Sequence, residues 1–277
     1  MAATIRKILL WLACIAVALY LGLCGYLFTQ QRRAIYHPRP TASENPPPES
    51  GYAALNVTVP DLGVMKDWWA PAAAGMPTII FFYGNGGDVT SFQTTGGMFH
   101  QRGWGAVLAS YPDFSGNPGK PSEETLMAAA RATIAAVSPR GGPIIVWGHS
   151  LGSGVAARMA SEGRAEALVL EAPYTSLPDV AARIYPYIPV HFLMLDRFDT
   201  QSLVDRIHVP VLIFHSIDDP QIPFAMGETL AREFGARATL VRLEGVGHYP
   251  HKIDLSGIVL QRARDHCIAP GVCRRPG

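Results

Sequence analysis

Six short runs constrain this chain most: "TIIFFYG" (Thr78 to Gly84), "GAVLASY" (Gly105 to Tyr111), "PIIVWGHS" (Pro143 to Ser150), "EALVLEAP", "VPVLIFHS" and "ATLVRLEG". Each is apolar along most of its length, without the alternation of a half-exposed strand. Helical stretches separate several of them. "SEETLMAAARATIAAV" (Ser122 to Val137) has a capping serine and two glutamates at the positive end of its dipole. A small-residue stretch runs from Leu151 to about Ser161, and another helix is expected from about Phe224 to Phe234. Strands buried on both faces and alternating with helices imply a mainly parallel sheet flanked by helices. "AALNVTV" and "GVMKDWWA" can add antiparallel strands at one edge. Residues 174–208, rich in aromatic residues and proline, interrupt the alternation and are expected to form a cap-like insertion over the strand ends.

A chain of 277 residues with a net charge of +1 can bury one sizeable core. Its scattered Lys and Arg argue against a nucleic-acid surface, which needs a concentrated basic stripe. The hydrophobic content of 48% has a local source. Ile8 to Phe28 is one continuous apolar run, flanked by Arg6 and Lys7 before and by Arg32 and Arg33 after. As a helix it would extend about 31 Å, the thickness of a bilayer core. A cleaved signal peptide would have a shorter apolar region and a small-x-small site after it, and "LCGYLFTQQRR" offers none. The expectation is an uncleaved single-pass anchor over residues 1–31. The basic residues nearly balance across it, so its orientation stays open. "HPRPTASENPPPESG" carries five prolines and reads, within residues 32–51, as a tether. The catalytic domain is then expected over 52–266 and a tail over 267–277. Cys267 and Cys273, in "HCIAPGVC", fit either a disulfide or two free thiols, and the four cysteines make no zinc pattern.

The chemistry starts at Gly148-His149-Ser150-Leu151-Gly152. G-x-S-x-G is weak alone, but here it ends an apolar strand and opens a small-residue helix. A sharp strand-to-helix turn lifts such a serine above the sheet, and the flanking glycines let the backbone pass. The helix N-terminus directs free N–H groups at the same spot, which makes the N–H of Leu151 a candidate oxyanion donor.

With these residues the chain resembles the α/β-hydrolase superfamily. More narrowly, it is similar to the branch of membrane-anchored, serine-aminopeptidase-like abhydrolase-domain proteins. The likeness is carried in order by "QRRAIYHP", "FFYGNGGD", "GNPGKPSEETL", "GHSLGSG", "EAPYTSLPDV", "VPVLIFHSIDDPQIP" and "GVGHYP". It implies an α/β-hydrolase fold with Ser150 as nucleophile. The base is then a histidine after the last strand, His248 in "EGVGHYP", with His251 as the fallback. The resemblance also implies a second oxyanion donor, the backbone N–H of Asn85 in "YGNGG". Two departures stand out: Tyr83 replaces the family's usual His, and Pro112-Asp113 replace Arg-Gly after Tyr111. Of the adjacent acids Asp218 and Asp219, the expected triad member is Asp219, which lies four residues before Pro223 as in related sequences. Asp218 is then a loop residue, and Glu171 is the outside candidate.

The implied activity is hydrolysis of an acyl ester or thioester through an acyl-enzyme, with no metal or organic cofactor. The expected substrate is a small molecule, a lipid or an acylated protein near a membrane. "YPYIPVHFLML" (Tyr185 to Leu195) reads either as an acyl pocket or as lid packing. A serine peptidase is the enzymatic alternative, because fold does not select the leaving group. A catalytically idle, tethered binding protein is the other. Dehalogenase or epoxide hydrolase chemistry would need an aspartate where Ser150 stands.

Overall fold

The structure, a computed structural model, describes residues 2–39, 45–100, 103–140 and 142–249. His251, His266, Cys267, Cys273 and the expected tail lie outside the described residues. Among the described residues, eight strands form one sheet in the order β1-β2-β4-β3-β5-β6-β7-β8. They are β1 (Ala53–Val59), β2 (Gly63–Ala70), β3 (Thr78–Phe82), β4 (Gly105–Ala109), β5 (Ile144–His149), β6 (Ala167–Glu171), β7 (Val211–Ser216) and β8 (Ala238–Leu243). β1, at one edge, and β2 beside it pair antiparallel, as does β2 with β4, and all pairings from β4 to β8 are parallel. β3 to β7 are buried at every position, as strands covered on both faces require.

Among the described residues, seven helices accompany the sheet: α1 (Ala2–Ile35), α2 (Gln93–His100), α3 (Glu123–Val137), α4 (Leu151–Ser161), α5 (Leu177–Ile184), α6 (Val190–Leu193) and α7 (Phe224–Phe234). Ser122 caps α3 reciprocally with Thr125: its hydroxyl accepts from the Thr125 N–H at 3.1 Å and its own N–H donates to Oγ1 at 2.9 Å. Trp147, on the central strand β5, stacks on Phe214 at 6.1 Å and meets Phe99 at 5.2 Å. Burying each such ring contributes roughly 1.5–3 kcal/mol to the core. The chain first lays β4 beside β3, then reverses to lay β5 on the other side. Ligands in open α/β sheets bind at such a switch point, beyond the carboxyl ends of the strands.

Among the described residues, α1 is the one helix long and apolar enough to cross a membrane. It continues past the expected anchor end at residue 31 to Ile35, and Tyr36 just after it is buried. The start of the expected tether is therefore docked, and the reason is Asp196. This buried carboxylate accepts from Arg32 Nε at 3.0 Å, the Tyr36 hydroxyl at 3.1 Å and the Glu123 N–H at 3.0 Å. Burial pushes the Tyr36 hydroxyl well above the tyrosine range, and the Asp196 charge adds to this, so the hydroxyl remains a donor. The insertion holds α5, α6 and a 3-10 segment, Gln201–Arg206.

Asp67 on β2 is a second buried acid. It accepts from the Ser110 N–H at 2.7 Å and the Thr133 hydroxyl at 2.6 Å. Burial raises its pKa from 3.8 to about 6, and these hydrogen bonds only partly offset the rise. The folded chain holds this proton more tightly than the unfolded chain. The stabilisation is complete below pH 3.8 and is lost as pH rises through about 6. Thermal unfolding should therefore show a midpoint that falls across that window. Asp67→Asn should flatten the fall, and an equally steep fall in that variant would contradict the assignment.

Candidate active site

Ser150 sits between β5 and α4 with φ +50° and ψ −121°, a conformation that L-residues adopt at a cost. Close packing enforces it. A Cβ at Gly148 would strike the carbonyl of Gly152, and one at Gly152 would strike that of Phe82. The Ser150 N–H donates to the Glu171 carbonyl at 2.9 Å, which ties the turn to β6. Leu151 is the first residue of α4, so its N–H is among those without a partner inside the helix.

The structure brings three sequence-predicted side chains into one line. His248 Nε2 lies 2.9 Å from Ser150 Oγ, and His248 Nδ1 lies 2.8 Å from Asp219 Oδ2. Asp219 Oδ1 accepts from the N–H groups of Gln221 at 2.8 Å and Ile222 at 2.9 Å. Its side chain is fully buried. Burial alone would raise its pKa. Hydrogen bonds from His215 and His248, the charge of His248 and the Ile222 N–H outweigh burial and hold the carboxyl well below the usual range. An ionised Asp219 fixes the proton of His248 on Nδ1 and leaves Nε2 free to accept from the serine hydroxyl.

The other acids face elsewhere. Asp218 is exposed and accepts from the Ser216 hydroxyl. That bond, with the backbone N–H groups of Gly245 and Gly247, lowers its pKa, so it organises the loop that carries His248. Glu171 Oε2 accepts the indole N–H of Trp147 at 3.1 Å.

Sequence reasoning missed two histidines. His149 Nε2 donates to the carbonyl of His248 at 2.9 Å and braces that histidine from the turn that carries Ser150. His215 Nε2 donates to the Ile222 carbonyl at 2.9 Å and lies 3.5 Å from Asp219 Oδ2. Its place four residues before Asp219, at the end of an apolar strand, was the available signal. No sequence pattern marks His149.

Asn85 follows β3 and lines the same cavity as Ser150 and Leu151. Its carbonyl accepts from the His37 N–H at 2.9 Å, and its side-chain amide donates to the Ile35 carbonyl at 3.0 Å. The end of α1 thus holds the loop whose backbone N–H was expected to face an oxyanion. Tyr83, at the family's His position, braces the loop differently: its hydroxyl pairs with Ser110 at 3.2 Å, and its carbonyl accepts from Tyr111 at 2.8 Å. The cavity has a volume of about 520 Å³ and is mostly apolar. Its walls come from the insertion (Leu177, Ile184, Met194) and from α1 (Leu27, Phe28, Ile35). Among the described residues, no group of three or more His, Cys, Asp or Glu gathers as a metal site would require.

The family model for serine hydrolases matches residues 116–255, just over half of the chain. The chain belongs to the serine hydrolase family. The matched stretch contains Ser150, Asp219 and His248. An uncharacterised protein of Mycobacterium tuberculosis is 33% identical to this hydrolase over 239 residues, covering 82% of this chain and 83% of the relative. The lysophosphatidylserine lipase ABHD12 of Danio rerio is 31% identical over 56% of the chain, and this hydrolase spans 46% of that protein's length. Among solved structures, an esterase of Pyrococcus furiosus superposes with a TM-score of 0.64 at 14% identity, over 77% of this chain and 89% of the other. An α/β serine hydrolase of Xanthomonas campestris superposes at 0.59 and 17% identity, over 80% and 97%. At such identities the superpositions speak for the fold. The hydrolase is an α/β-hydrolase superfamily member of the abhydrolase-domain type.

Proposed function

We propose that this serine hydrolase cleaves acyl esters or thioesters through a Ser150-His248-Asp219 acyl-enzyme mechanism, and that α1 anchors it in a membrane as a single-pass span. The observation that carries the reading is the unbroken chain Ser150 Oγ–His248 Nε2, His248 Nδ1–Asp219 Oδ2, at 2.9 and 2.8 Å. His248 takes the serine proton as Oγ attacks the carbonyl carbon. Asp219 stabilises the resulting imidazolium. The N–H groups of Leu151 and Asn85 stabilise the oxyanion. His248 returns the proton to the leaving oxygen or sulfur, then activates the water that releases the acid.

The apolar cavity favours an acyl chain over a charged peptide terminus, since its described lining contains no acidic residue to meet an N-terminal amine. The lysophosphatidylserine lipase among the similar proteins points the same way. In domain terms, we take residues 1–31 as anchor and 52–266 as catalytic domain with its insertion at 174–208, and treat 32–36 as part of the docked helix end rather than of a free tether.

The test is a hydrolysis panel with the full chain in detergent: p-nitrophenyl esters of several chain lengths, acyl thioesters and aminoacyl amides. Ester and thioester turnover is expected. Turnover of amides alone would overturn the reading in favour of a peptidase. The full chain is needed because a cut at residue 32 would remove Gln31, which bonds the Leu195 N–H at 2.8 Å, and part of the cavity wall.

A further inference from the structure

We propose that the outer face of the insertion lies embedded in one bilayer leaflet beside α1, and that the cavity over Ser150 opens into that leaflet, so a membrane-resident lipid ester reaches the serine without crossing water. The proposal rests on the reading of α1 as a membrane span and of Ser150 as an ester-cleaving nucleophile.

Contacts between helix and insertion fix their relative depth. Asp196 meets Arg32 and Tyr36 at the basic, headgroup end of α1. Deeper, Gln31 bonds the N–H of Leu195. Deeper still, the Tyr20 hydroxyl donates to the carbonyl of Tyr187 at 2.8 Å. Tyr20 lies about 12 Å inside the apolar run's end at Phe28, and about 18 Å below Arg32, at ~1.5 Å rise per residue. A leaflet's hydrocarbon is about 15 Å deep, half of a bilayer core. If α1 spans, Tyr187 must sit within the hydrocarbon of one leaflet.

The insertion has the surface this depth demands. Tyr187 and Phe192 are 87% and 88% exposed, with Ile184 and Leu195 exposed beside them. Residues 185–195 contain no Asp, Glu, Lys or Arg. In water this would be a costly apolar patch contiguous with a bare apolar helix; in a leaflet it is solvated. Polar groups return where headgroups would begin. The Arg197 guanidinium bonds the His191 carbonyl at 2.7 Å, and Asp196 holds Arg32.

The cavity lies across the same boundary. Leu27 and Phe28, at the edge of the apolar run, line it together with Met194, Ser150 and Asn85, and Asn85 is bonded to Ile35 and His37, two turns further toward the basic end of α1. An acyl chain can remain on the leaflet side while its ester carbonyl, which sits at interfacial depth in a bilayer, meets Ser150. The substrate class is thus a long-chain lipid ester drawn from the bilayer rather than from solution.

Two readouts on the full chain in phospholipid nanodiscs test this. Nitroxide labels are placed singly at Tyr187→Cys, Phe192→Cys and, as a solvent reference at the sheet edge, Val64→Cys, with Cys14, Cys24, Cys267 and Cys273 changed to Ala. Labels at 187 and 192 should show high oxygen and low nickel-chelate accessibility, and the label at 64 the reverse. Solvent-like accessibility at 187 and 192 would overturn the proposal whatever the activity. Second, Tyr187→Asp/Phe192→Asp should slow hydrolysis of a long-chain lysophospholipid in the discs at least about tenfold, because the charges resist burial in hydrocarbon. Turnover of p-nitrophenyl butyrate should stay unchanged. Equal turnover of both substrates would contradict leaflet entry and leave the hydrolase reading intact. If the parent protein cleaves neither ester, the hydrolase reading fails, and with it the claim of substrate entry; the labels then decide the embedding alone.

Discussion

Asp219→Asn should lower kcat on an activated ester by about 10⁴-fold, the cost of holding the base in the wrong tautomer. The two carboxylate oxygens are fixed by different partners. Oδ1 accepts two backbone N–H groups, from Gln221 and Ile222, and an asparagine must keep its carbonyl oxygen there. The new amide nitrogen then takes the position of Oδ2, facing His248 Nδ1. It can only donate, so Nδ1 becomes an acceptor and the ring proton moves to Nε2. A protonated Nε2 cannot take the proton of Ser150. Asp218→Asn should cost less than about tenfold, since Asp218 acts on the loop and not on the imidazole. Glu171→Gln should remain active, because an amide oxygen can still accept from Trp147. Steady-state kinetics on the three variants decides the matter: full turnover in Asp219→Asn would exclude Asp219 as the acid.

Asp196→Ala should destabilise the chain by about 2–4 kcal/mol, because it orphans buried donors. The Tyr36 hydroxyl and the Glu123 N–H both lose their acceptor, while Arg32, half exposed, can turn to water. The consequence extends to the site, since the end of α1 holds Asn85 through Ile35 and His37. Thermal unfolding of the full chain in detergent should show the loss, and turnover should fall with it. Asp196→Asn keeps an acceptor and should recover part of both. An unchanged midpoint in Asp196→Ala would mean that the helix end is held by other contacts.

The sheet was legible because burial on both faces leaves a signature in residue type: β3 to β7 are apolar at nearly every position. The elbow was legible because a strained serine needs glycines at fixed offsets, and those offsets can be counted. The pairing of Asp219 rather than Asp218 with the histidine depended on which way a loop turns, so composition could not separate two adjacent aspartates. His149 reaches the backbone carbonyl of His248 at 2.9 Å, and a support made through backbone atoms has no residue-type signature. The role of α1 was hidden for a related reason. An apolar run announces a span, but nothing in its composition says that its last turn will be tied to an acid 164 positions away, at Asp196. Only the folded chain brings Arg32, Tyr36 and Asn85 into one neighbourhood.

If Ser150 is the nucleophile, it carries the acyl group during turnover. Two separate samples of the full chain, one incubated with a fluorophosphonate and one with a slowly released p-nitrophenyl ester, are mapped for the adduct by peptide mass spectrometry. One modified peptide is expected in each, bearing the adduct on Ser150, with labelling lost in Ser150→Ala and strongly slowed in His248→Ala. A well-folded protein that takes no label, or one still labelled and active after Ser150→Ala, would contradict it.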